Sequence, residues 1–82
     1  MRIYMQKAAE ENKAPRFYHL IIQQDLLGGW TLIKESGTQG SKGRIKLEHF
    51  ASRDEAEQAM TTSRDAQVHL GYHVVFVDGL HK

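Results

Sequence analysis

The chain has 82 residues, 40% hydrophobic and 26% charged, with eleven Lys and Arg against ten Asp and Glu for a net charge of +1. That length fits one small domain, which buries only about 60% of the surface its unfolded chain exposes. There is no cysteine, which excludes disulfides, iron–sulfur ligation and a thiol nucleophile, and no apolar run approaches the roughly 20 residues of a membrane-spanning helix.

The opening residues Met1 to Lys7 lack the apolar stretch of a secretory signal, so a cytoplasmic location is the expectation. Arg2 to Gln6 predicts a short strand with Ile3 and Met5 alternating against Arg2, Tyr4 and Gln6. Lys7 to Ala14 has no apolar face and reads as a polar loop. Arg16 to Gln24 is rich in β-branched and aromatic residues and predicts a second strand. A short turn follows at Asp25 to Gly29. The next strand runs from Trp30 to about Glu35, with Trp30 and Leu32 on one face and Thr31 and Ile33 on the other. Ser36 to Gly43 reads as a glycine loop, spaced Gly37, Gly40, Gly43. Arg44 to Phe50 alternates Arg44, Lys46 and Glu48 against Ile45, Leu47 and His49, the pattern of a half-buried strand. Short links between these strands predict an antiparallel meander.

The helix is the clearest element. Ser52-Arg53-Asp54-Glu55 spells a capping box, and acids in the first turn suit the helix dipole. Ala56, Ala59, Met60, Ser63, Ala66 and Leu70 recur at helical period, and Gly71 is placed to end the helix in the left-handed region. The predicted helix spans about 53–70. Tyr72 to Val77 is then a continuous apolar strand ending at Asp78-Gly79, with Tyr72 and Phe76 expected to pack under the helix. The expected architecture is α+β: an antiparallel β-sheet of four to five strands with one long helix packed on one face. The chain reads as one domain over residues 1–82, its core at 16–77 and residues 1–15 forming the short strand and polar loop.

Catalytic and metal chemistry are not written in this chain. His69 and His73 have the i, i+4 spacing of a zinc pair, but Gly71 between them ends the helix and no third ligand is near. The glycine loop matches neither the Walker nor the dinucleotide fingerprint. Gly40-Ser41-Lys42-Gly43 fits the GXXG of nucleic-acid clamps, yet both its flanks alternate like strands. The reading is a non-enzyme with no cofactor and no metal.

Charge is unevenly placed. Residues 16–46 hold five bases against two acids, net +3, while residues 47–82 hold three bases against six acids, net −3. The basic block peaks at Lys42-Gly43-Arg44-Ile45-Lys46. With Lys34 and Arg64, these cations are the candidate phosphate contacts, and Gly37, Gly40 and Gly43 shape the loop. The alternative is a solvated strand whose lysines discourage edge pairing.

Taken in order, Arg16-Phe17-Tyr18-His19-Leu20, Gly28-Gly29-Trp30-Thr31-Leu32, Gly37, Gly40, Gly43-Arg44, Phe50, Ser52, Glu55-Ala56 and Gly71-Tyr72 resemble the WGR domain. This module occurs beside the catalytic region of some poly(ADP-ribose) polymerases and as short stand-alone bacterial proteins. The resemblance implies the sheet-and-helix fold already read from the residues. It also implies nucleic-acid binding, DNA more than RNA, without sequence preference. The Trp-Gly-Arg triplet that names the family reads Ser36-Gly37-Thr38 here. Serine offers no ring to stack and threonine no charge, so the triplet's two contacting side chains do not carry over. Gly37 alone transfers, expected to serve backbone geometry in the turn. The alternative function is a protein-interaction module that keeps the fold without DNA binding and engages a partner through an exposed sheet edge or the loop from Ser36 to Gly43. In either case a monomer or weak homodimer is expected.

Overall fold

The computed structural model describes residues 1–9 and 11–79. Glu10, in the expected polar loop, and residues 80–82, at the end of the expected domain, lie outside the described residues. The elements are β1 (Arg2–Lys7), β2 (Arg16–Gln24), β3 (Trp30–Thr38), β4 (Arg44–Phe50), α1 (Arg53–His69) and β5 (His73–Asp78). All pair antiparallel in one five-stranded sheet of order β4-β3-β2-β1-β5. The expected meander is β2-β3-β4, and the α+β class is as predicted. β1, left outside the 16–77 core in the sequence, sits between β2 and β5 and buries Ile3 and Met5.

Cross-strand pairs define the two faces. Ile3 faces Leu20, and Ile22 faces Leu32, on the side where α1 lays Ala56 and Met60. These residues with Met5 and Tyr72 form the core, and Trp30 and Phe50 pack against it at the helix start. Arg53 lies 5.5 Å over the Trp30 ring. Ser52 caps the helix, its Oγ accepting the Glu55 amide at 3.2 Å, and Gly71 ends it at φ +105°.

Four expectations are corrected. β3 runs on to Thr38, so Gly37 lies inside a strand and not in a turn. Its role is close approach: a Cβ there would sit 3.0 Å from Gly43 Cα and 3.4 Å from the Phe17 ring. Gly43 is as tight, with Ser36 O at 2.9 Å and Phe17 Cζ at 3.0 Å, whereas Gly40 does make the turn at φ +84°.

The strand expected to be half-buried, β4, is a sheet edge. Its apolar residues Ile45 and Leu47 turn away from the helix and stay 65% and 54% exposed. The pairing of Trp30 with Phe50 dictates this, because it commits Arg44, Lys46 and Glu48 to the helix side. The helix itself buries a shorter stripe than its period implies. Ala66 is exposed, Leu70 is 60% exposed, and Gln67 turns inward instead. Finally, Tyr72 packs under the helix as expected, but Phe76 does not. Its pairing with Tyr4 places it on the helix-free face.

His19 also stands on that face, edge-on to Tyr4 at 5.4 Å, with its Nε2 buried and unbonded. Burial holds its imidazole below the usual range; Arg2 adds to this, and Glu35 opposes it. Folding therefore favours neutral His19, and the unfolded chain binds the proton more readily. The resulting stability is complete above the unfolded value of about 6.5 and is lost as pH falls through the lowered folded value. Urea midpoints are expected to fall between about pH 7 and pH 5, and to fall less in His19→Gln. An identical pH profile in the variant would contradict this.

Candidate nucleic-acid interface

The same alternation that buries Ile3, Leu20 and Leu32 brings cations to the helix side at one end of the sheet. Lys7 pairs with Arg16, and Arg16 with Thr38. One row further in, Tyr18 pairs with Ser36 and Ser36 with Arg44. In the next row Leu20 pairs with Lys34 and Lys34 with Lys46. Lys7, Arg16, Lys34, Arg44 and Lys46 thus share one face around Ser36 and Thr38. Among the described residues, Glu48 is the only acid that β1 to β4 contribute to this face.

Lys34 is the least exposed of the group, its side chain 19% accessible, and it donates to Glu48 Oε2 at 3.2 Å. Lys46 and Arg44 are exposed. Like charges directly opposite one another destabilise a sheet, and Glu48 offsets that for Lys34 while Lys46 faces the same repulsion. Lys42 is exposed in the loop after the Gly40 turn. Arg64 lies one helical turn past Met60, half-buried, and is tied to Asp65 at 2.9 Å. Of the candidate cations, Arg64 is therefore partly neutralised.

Where the last turns of α1 stand off the sheet, a groove of about 650 Å³ opens. Tyr18 and Tyr72 line it, with ring centroids 5.9 Å apart and edge to face. Ser36 and Thr38 contribute its far wall, and Gln67 and Leu70 its roof. Lys7, Lys13 and Arg16 bring cations to its lining beside Ala8, Ala9 and Ala14, and Lys7 Nζ lies 5.9 Å over the Tyr72 ring. The candidate set drawn from the sequence omitted these three bases. Arg16 was visible as a strand residue, but only the pairing of β1 with β2 sets Lys7 beside it. Lys13 comes from the loop before β2 and carries no periodic signal at all.

The groove shows what the changed triplet does physically. Ser36 and Thr38 point to the helix side, into the space, while Gly37 between them turns to the opposite face beneath Phe17. Two short hydroxyl side chains leave the wall low and the cations of the rim accessible. A side chain at Gly37 would set its Cβ 3.0 Å from Gly43 Cα, so the facing backbone would have to give by a few tenths of an ångström. No described helix is long and apolar enough to cross a membrane.

No curated protein and no solved structure matches the chain significantly. A family model, that of the WGR domain, matches residues 1–75. That domain is commonly a nucleic-acid-binding module and is not itself catalytic. With a match over most of its length, on the sheet and helix described above, the chain belongs to the WGR domain family.

Proposed function

We propose that this protein is a non-enzymatic single-domain module that binds nucleic acid, DNA in preference, through phosphate contacts and without sequence preference. The observation that carries the reading is the gathering of Lys7, Arg16, Lys34, Arg44 and Lys46 on one face, to which the described residues of β1 to β4 contribute a single acid. Phosphate contacts hold a duplex without reading bases. A near-neutral chain with one concentrated cationic face makes its phosphate contacts through that face, so duplex affinity is modest and strongly salt-dependent. Lys42 and Arg64 are flanking contacts, Arg64 the weaker because Asp65 already holds it.

The test is a double substitution, Arg44→Ala with Lys46→Ala, read by fluorescence anisotropy with a labelled duplex across a salt series. Both side chains are exposed and belong to an edge strand, so the fold is expected to survive. Each lost phosphate contact lowers the log–log salt slope by about 0.9, so the slope should flatten by about 1.8. An unchanged slope would remove β4 from the interface.

One observation favours the protein-interaction alternative. β5 is a free sheet edge without lysine or proline, and Val74, Val75, Phe76 and Val77 are 40–48% exposed. An unguarded apolar edge invites pairing with another strand. If it does so here, sedimentation velocity will show concentration-dependent association that Val75→Lys abolishes. A monomer at all concentrations would count against self-pairing through this edge.

A further inference from the structure

The helix-free face of the sheet takes no part in the reading above, and three of its rings form a row across the strands. Phe17 and Tyr4 have centroids 6.3 Å apart and planes 17° apart; Tyr4 and Phe76 are 5.9 Å and 25° apart. The first ring's direction is fixed by two glycines. Phe17 Cζ reaches to 3.0 Å from where a Gly43 Cβ would be, and its Cε2 to 3.4 Å from that of Gly37. The ring therefore extends sideways over β3 toward Gly43 and lies along the sheet. Tyr4 reaches the same way, for its hydroxyl accepts from Gln39 Nε2 at 2.6 Å beyond the end of β3. Phe76, 42% exposed, extends the row to the β5 edge.

We infer that this row is a stacking platform for single-stranded nucleic acid, a second contact surface that rests on the nucleic-acid reading above. Rings that lean over a sheet expose part of a π face, and such faces take successive bases of any sequence; at Phe76 a base joins the Arg2 guanidinium that lies over the ring. A duplex keeps its base faces internal except at its ends, and cannot lay successive bases along the row. Cations stand at both ends of the row. The Arg2 guanidinium is 5.7 Å from the Phe76 centroid, and Lys42 adjoins Gly43 beside Phe17. The acids of this face among the described residues are Asp78, 3.8 Å from Arg2, Glu35, and Asp25 at the far end beside His49. They leave the face near neutral, so the platform adds affinity by stacking and little salt dependence. Its Phe17 end borders the glycine loop, beyond which lies the cationic groove, so one strand can run from phosphate contacts onto the rings.

The experiment compares a labelled oligothymidylate of roughly 12 nucleotides with a duplex of equal length, using wild type, Phe76→Ala and Phe76→Trp. Phe76→Ala should weaken single-strand binding about tenfold while leaving duplex affinity and both salt slopes unchanged. Phe76→Trp should restore single-strand binding, which mere folding damage at this exposed site would not produce. Wild-type single-strand affinity in Phe76→Ala, or equal losses on strand and duplex, would overturn the platform alone. Failure of wild type to bind either nucleic acid would overturn the phosphate-contact reading with it. Loss of self-association in Phe76→Ala, with strand affinity unchanged, would reassign the face to protein contact and reject the platform.

Discussion

Leu20→Ala is expected to cost about 3–5 kcal/mol of folding stability and to leave a substantial unfolded fraction at ambient temperature. Leu20 is fully buried at the centre of β2, between Ile3 of β1 and Lys34 of β3. It is one of the largest fully buried side chains, together with Met5, Leu32 and Met60. A chain of this size has a total stability of about 4–12 kcal/mol, so one such cavity removes much of it. The helix cannot settle into the space, because Ala56 and Met60 are already its only buried residues. Urea unfolding checks this: the midpoint should drop sharply with the m-value unchanged. A loss below about 1 kcal/mol would mean that the core is not centred on β2.

The second large effect is a gain. Ser36→Trp with Thr38→Arg should raise duplex affinity roughly tenfold to a hundredfold. At a duplex end, where the terminal base pair exposes one face, the indole contributes a stacking surface worth about 1–3 kcal/mol, and the guanidinium adds one phosphate contact. The argument is geometric. Both positions already point into the groove of about 650 Å³, and Ser36 lies between Tyr18 and Arg44 with the room that its small side chain leaves. New side chains there meet cations that are in place and require no movement of Gly37. Anisotropy should show the higher affinity together with a salt slope steeper by about 0.9. Unchanged affinity would mean that the surrounding surface no longer accepts a duplex, and would favour the protein-interaction alternative.

These expectations depend on how the sequence encodes the sheet. The ends of β2, β4 and the helix were legible because each has its own punctuation: Pro15 before one strand, Gly43 before another, Ser52 and Gly71 around the helix. The faces were harder. Arg44 to Phe50 alternates cleanly, but alternation gives the period and not which half meets the helix. That choice is made by Trp30 opposite Phe50, a pairing between distant residues. The reversal matters for function, since it carries Arg44 and Lys46 to the helix side and leaves Ile45 and Leu47 outside.

Gly37 was misread for a related reason. A glycine between short polar residues looks like a turn, and only its pairing with Phe17 and the close approach of Gly43 show a crowded strand position. Phe76 was assigned to the core because Tyr72 to Val77 is uniformly apolar, which hides the parity that pairs it with Tyr4. Lys7 and Lys13 escaped notice because the first fifteen residues lack an apolar face, and their importance arises from where β1 inserts.

The most direct test of the cationic face is a titration of the wild-type protein against a labelled 5′-phosphorylated duplex at about 50 and 200 mM salt. If about three phosphates are neutralised, the slope is near −2.7 and affinity falls about 40-fold over that range. A larger fall would mean that more than three cations of the face and groove reach phosphates at once. Affinity that is insensitive to salt, or no binding at the lower concentration, would contradict the account.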